Sequence, residues 1–201
     1  EPWHVWLRHP ELAEHVDYLA VHMLPYWEGI PADASIGYID SKVAELEQAF
    51  PGKKIVLAEV GWPSNGRTRE AAVATESNEA MFLRRFLAHA KEQGYVYYLM
   101  EAFDQPWKAQ SEGSVGAYWG VWNVGREAKF PFKASIVRIP EWRTLAAVAV
   151  GLALLLLTVF SLDGRRLANS GRSFLAVVAY ATTTTVVWLL YEYSQQYMTV
   201  T

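Results

Sequence analysis

The period of apolar positions changes several times along this chain, and each change marks an element. Asp17–Leu24 (DYLAVHML) is a short apolar run closed by Pro25, the pattern of a buried strand. Pro31 and Asp33 then open a helix. Ile36, Ile39, Val43, Leu46 and Phe50 recur at 3,4 spacing, one face of an amphipathic helix that Pro51-Gly52 stops. Lys54–Val60 (KIVLAEV) reads as a second strand, ending at Gly61. A polar loop from Pro63 to about Arg69 leads to a helix over roughly Ser77 to Glu92. Its inner face is Phe82, Leu83, Phe86, Leu87 and Ala90, and Gly94 ends it. Tyr95–Phe103 (YVYYLMEAF) reads as a third strand, and a Trp- and Gly-rich loop continues to about Phe132.

Strands alternating with helices imply parallel βαβ units, with the three strands side by side in sequence order. In such folds chemistry gathers at the C-terminal strand ends. Here those ends are His22–Trp27, Glu59–Pro63 and Glu101–Lys108. All three combine acidic, aromatic or other polar groups with nearby Gly or Pro.

Beyond Arg143 the pattern changes again. Thr144–Leu162 is uncharged and matches the roughly 20 residues that cross a bilayer core. Ser173–Tyr191 is a second uncharged stretch, in which Thr182–Thr185 can bond back to their own helix. Trp142, Trp188, Tyr191 and Tyr193 sit where interfacial belt residues fall. Between the stretches, Arg165, Arg166 and Arg172 mark the loop 163–172 as cytoplasmic by the positive-inside rule, although Arg138 and Arg143 flank the other end. The expected organisation is therefore 1–136 as an α/β unit and 137–201 as a membrane region, with helices at about 144–162 and 173–191.

Composition excludes several classes. With no Cys, disulfide frameworks, Cys-ligated zinc and thiol catalysis are out. A net charge of −3 and the lack of a basic stripe argue against nucleic acid. Nine Trp and 11 Tyr, many beside Gly, Pro and acidic residues, suit sugar rings that stack their C–H faces on indole. The chain opens at Glu1-Pro2-Trp3 without Met or a signal peptide, and reads as a fragment.

Glu59 is the one acidic residue inside an apolar strand that ends in Gly-Trp-Pro. A carboxylate there is partly desolvated, so it is either paired with a Lys or Arg of the rim or put to chemical use. The longer string Glu59-Val60-Gly61-Trp62-Pro63-Ser64-Asn65-Gly66 resembles the nucleophile signature of glycoside hydrolase family 17, the β-1,3-glucanases. The resemblance continues in order. Val21-His22-Met23-Leu24-Pro25-Tyr26 is similar to the family's strand with a Pro-Tyr pair. Ala102-Phe103-Asp104-Gln105-Pro106-Trp107-Lys108 is similar to its last strand, with Phe-Asp-Glu-x-x-Lys. Trp119-Gly120-Val121-Trp122 is similar to its closing Phe-Gly-Leu-Phe. The matches run from roughly Asp17 to Phe132.

The resemblance implies the C-terminal part of a (β/α)8 TIM barrel, strands six to eight, followed by two transmembrane α-helices. It implies a retaining enzyme with Glu59 as nucleophile and no cofactor or metal. The family's acid/base, an upstream Glu after Asn, has no match here. Lys108 matches the family's Lys and Glu112 the Glu that follows it. Gln105 replaces a Glu, which removes one charge beside Lys108. Glu101 stands where the plant enzymes have a small residue, and is expected to bind a sugar hydroxyl. Tyr26, Trp62 and Trp107 are the expected sugar contacts. Trp119 and Trp122 are either barrel-closing core or sugar contacts, and His22 either faces the barrel top or packs within it.

The expected partners are a β-glucan oligosaccharide or polysaccharide, the lipid bilayer and a fused or associated glycosyltransferase. The expected setting is the bacterial inner membrane, with the barrel periplasmic or extracellular. The alternatives are an inactive carbohydrate-binding barrel and an accessory part of a membrane polysaccharide synthase.

Overall fold

The computed structural model describes residues 1–137, 139, 141–162 and 168–197, in two compact units. The first unit is built on a parallel sheet of three strands in the order β1-β2-β3: β1 is Tyr18–Met23, β2 Lys54–Val60 and β3 Val96–Leu99. Helix α1 (Trp3–Arg8) precedes the sheet, and α2 (Ser35–Ala49) and α3 (Glu76–Gln93) are the crossovers that parallel neighbours require.

The predicted helices form for the expected reasons. In α2, Ile39, Val43 and Leu46 are buried on one stripe. Thr75 caps α3, its hydroxyl accepting the Asn78 N–H at 3.2 Å, and Gly94 ends the helix in the left-handed region at φ 71°. Phe82, Leu83, Phe86 and Ala90 form its inner face. Leu19, Val21 and Met23 alternate with more open residues along β1 and are fully buried.

The third strand is shorter than the period suggests. β3 stops at Leu99, where the backbone changes partner. From Glu101 the chain pairs with the Trp-Gly segment instead: Glu101 N–H donates to Trp119 O at 2.8 Å, Val121 N–H to Glu101 O at 2.8 Å and Asp104 N–H to Trp122 O at 2.9 Å. Two glycines make room for this. A Cβ at Gly61 would lie 2.2 Å from Met100 O, and one at Gly120 would lie 2.1 Å from the Asp104 amide. Neither site admits a side chain.

The second unit is a pair of helices, α5 (Trp142–Leu162) and α6 (Asn169–Tyr197), after the four-residue α4 (Ala109–Glu112) of the first unit. Both are long and apolar enough to cross a membrane, over Trp142–Ser161 and Asn169–Tyr191. α6 begins before and ends after the predicted stretch 173–191. Small residues form the seam, with Ala149 and Ala153 buried on α5 and Ala179, Thr183 and Val187 on α6. The Thr183 hydroxyl donates to Ala179 O at 2.9 Å, so its polarity is met within the helix. Arg138, Arg165 and Arg166, invoked for orientation, lie outside the described residues.

Candidate active site

Glu59 sits one residue before the end of β2, opposite His22 at the end of β1. The pairing Val21↔Leu57 is followed by His22↔Glu59, so Ala58 is the extra residue of a β-bulge. Such a bulge re-aims side chains at a sheet rim. His22 Nδ1 lies 3.3 Å from Glu59 Oε2, and the two side chains are 36% and 41% exposed. Among the described residues no Lys or Arg pairs with Glu59, so the rim ion pair weighed for it is absent there.

At the end of β3 a second carboxylate is held quite differently. Lys108 Nζ meets both oxygens of Glu101, at 3.0 and 2.9 Å, and the Gln105 amide also donates to Glu101. These side chains are only 15% (Glu101) and 16% (Lys108) exposed. Lys108 therefore pairs with Glu101, and Glu112, half-buried in α4, makes no ion pair among the described residues.

The aromatic expectations divide. Tyr26 and Trp62 were expected to meet sugar, but both are fully buried. The Tyr26 hydroxyl donates to Arg67 O at 2.5 Å, and burial raises its proton affinity. Trp62 Nε1 donates to Val73 O at 3.1 Å, and its ring packs 5.7 Å from Phe82. Each finds its hydrogen bond inside the fold, so each indole or phenol edge is spent on the core. Trp119 joins them, fully buried against Tyr26 and stacked on Trp27. Trp107 is open at 65% exposure, and Trp122 lies half-open beside Phe103.

Most of the Gly-Trp-Pro-Ser string is scaffolding for Glu59. Ser64 N–H donates to Tyr118 O at 2.9 Å, tying the loop after β2 to the closing segment. Beneath it lies a cluster that the period of the sequence gives no sign of. Lys129 Nζ donates to Ser64 Oγ at 2.8 Å and Asp104 Oδ1 at 2.9 Å, and meets Glu79 Oε2 at 3.1 Å, off the axis of a hydrogen bond. Asp104 Oδ1 also accepts the Gly120 N–H. One ammonium here faces two buried carboxyl groups. Burial pushes the Glu79 carboxyl up to about 8, with Lys129 pulling the other way.

Comparison with known proteins places this geometry. The model of the BtgE/BtgC glycoside hydrolase domain matches residues 1–120, more than half of the chain. The chain belongs to that family. The BtgE/BtgC match spans all three strand ends described above. Among the family's curated relatives, a probable family 17 glucosidase of Saccharomyces cerevisiae, SCW10, is 30% identical over 117 residues, 57% of this chain and 29% of that protein. A glucan 1,3-beta-glucosidase of Schizosaccharomyces pombe is 30% identical over 120 residues, 57% of this chain and 37% of that protein. A glycoside hydrolase family 17 β-1,3-glucanosyltransferase from Rhizomucor miehei has a similar structure, with a TM-score of 0.56 and 28% identity, covering 62% of this chain and 46% of that one. An active-site mutant of the Rhizomucor miehei enzyme, in complex with laminaritriose, gives a TM-score of 0.55. The chain spans about a third of the length of these curated relatives and just under half of the solved enzyme.

Proposed function

We propose that this chain is the C-terminal part of a retaining glycosidase acting on β-1,3-linked glucan. Glu59 attacks the anomeric carbon to form a glycosyl-enzyme, and an acid/base outside this chain protonates the leaving sugar. That same group then deprotonates water for hydrolysis, or a glucan hydroxyl for transglycosylation. The carrying observation is the half-open Glu59 carboxylate, at a parallel strand end, with a histidine nitrogen 3.3 Å away and no Lys or Arg paired to it among the described residues. A nucleophile needs an unquenched lone pair and a path from solvent, and Glu59 has both. Glu101, Gln105 and Lys108 line the next strand end as hydroxyl partners, Glu112 is a further binding candidate, and Trp107 is the open stacking face. Tyr26 and Trp62 support this rim from within.

The two apolar helices support a membrane-anchored form, and the arginines of the loop 163–172 favour that loop as cytoplasmic, with the glycosidase part on the periplasmic or outer side of a bacterial inner membrane. That placement suits exported glucan synthesis or remodelling beside a glycosyltransferase. The test is Glu59→Gln in the full-length protein, assayed on laminari-oligosaccharides. Loss of both hydrolysis and transfer is expected. Products formed at the wild-type rate would end the assignment.

A further inference from the structure

We infer that His22 is a positioning residue for Glu59, selecting which carboxylate oxygen meets the sugar. The inference rests on the glycosidase reading above. Its ground is the register of two neighbouring strands. The bulge at Ala58 brings His22 and Glu59 into direct opposition, and His22 Nδ1 faces Glu59 Oε2 at 3.3 Å. The histidine backbone has little freedom. Val21 and Met23 on either side of it are fully buried, and the His22 N–H donates to Glu1 O at 2.8 Å. The ring is therefore presented from a fixed strand rather than a loop.

The chemistry of the pair follows from donor and acceptor inventory. As it stands the contact lies off the axis of a hydrogen bond, and because an ionised carboxylate only accepts, closing it into one on sugar binding requires Nδ1 to carry the proton. Once closed, a donor on Oε2 leaves Oε1 as the oxygen free to attack. An imidazole ring can present one N–H to one oxygen, whereas an ammonium with three donors can engage both. The neighbouring strand end shows the contrast: Lys108 contacts both oxygens of Glu101 and leaves neither free. The two carboxylates thus have partners suited to opposite tasks, reaction for Glu59 and fixed binding for Glu101.

The test compares His22→Ala with His22→Asn in the full-length protein on laminari-oligosaccharides, with Glu59→Gln alongside. Loss of orientation at a reacting atom costs about 10- to 100-fold in rate. His22→Ala is expected to lose kcat by about that factor with KM held within about twofold, because the sugar-binding groups are untouched. His22→Asn, which keeps a short N–H donor, is expected to recover most of kcat. Laminari-oligosaccharide binding and the unfolding midpoint, measured on both variants, should match the wild type. Wild-type kcat in His22→Ala, or equal loss in the two variants in step with a lowered midpoint, would overturn the inference. An active Glu59→Gln protein would overturn the glycosidase reading itself, whereas an inactive one beside a fully active His22→Ala protein removes only the role of His22.

Discussion

Glu59 and Glu79 are two carboxyl groups of one unit in opposite surroundings. Glu59 stands at the sheet rim, 41% exposed, with an imidazole as neighbour. Glu79 lies wholly buried in α3, under the closing segment, sharing Lys129 with Asp104. Burial raises Glu79 to about 8 despite that cation. A raised carboxyl is often the mark of an acid/base, because catalytic sites shift proton affinity by desolvation. Here that mark falls on a group substrate cannot reach. Accessibility has to be asked before proton affinity, and the answer separates the carboxylate proposed to react from a structural one.

The largest expected effect tests the rim. Removing one charge from a nucleophile costs at least about 1,000-fold in kcat. Glu59→Gln should show that loss with an unchanged unfolding midpoint, since its half-open side chain carries little packing. A protein that lost stability together with activity would make Glu59 structural and erase the contrast with Glu79.

The interior behaves in the opposite way. Lys129→Met strands Asp104 and Glu79 without their cation and frees the Ser64 and Tyr118 tie. Breaking a buried pair from one side costs about 3 kcal/mol, read as a lower midpoint. Glu79 adds a pH signature. Its folded proton affinity, about 8, exceeds the ordinary value of 4.5, so the folded state holds the extra proton between them. The corresponding stabilisation is complete below about pH 4.5 and is lost as pH rises through about 8. Unfolding midpoints across that window should fall with rising pH, and Glu79→Gln should flatten the slope. A slope unchanged in Glu79→Gln would assign it to another group.

Much of the rim is legible in the sequence because its elements follow simple periods. Both main helices and the first two strands sit where their apolar spacing puts them, and Glu59 stands out as one acid in an apolar strand. The end of β3 does not follow, because a run such as YVYYLMEAF has the same period whether its backbone pairs with β2 or with Trp119–Trp122. Side-chain burial is equally hidden. Tyr26 and Trp62 have the residue types of a sugar platform, yet their polar atoms find carbonyls of Arg67 and Val73 that only the folded loop supplies. Lys129 and Glu79 carry no mark of burial in the sequence, and they meet only because the fold brings together positions 50 apart. Gln105 is the instructive case. Its amide and the Lys108 ammonium both donate to Glu101, an arrangement set by how the loop folds that no motif spacing shows.

That cluster sets the smallest and most specific expectation. Glu101 is the counterpart of Glu59 just beyond the end of β3, and its fixed geometry comes from Lys108. Removing the ammonium by Lys108→Met leaves a 15% exposed carboxylate without its cation and loosens its aim at sugar hydroxyls. A binding group that acts equally on ground and transition states changes KM and leaves kcat in place. We expect KM for laminari-oligosaccharides to rise about 10-fold, near 1.4 kcal/mol, with kcat within about twofold. The double variant Lys108→Met with Glu101→Gln removes the unpaired charge and should recover part of the midpoint without recovering KM. A loss confined to kcat would move Glu101 from binding into the reaction, and the division of labour between the two strand ends would have to be redrawn.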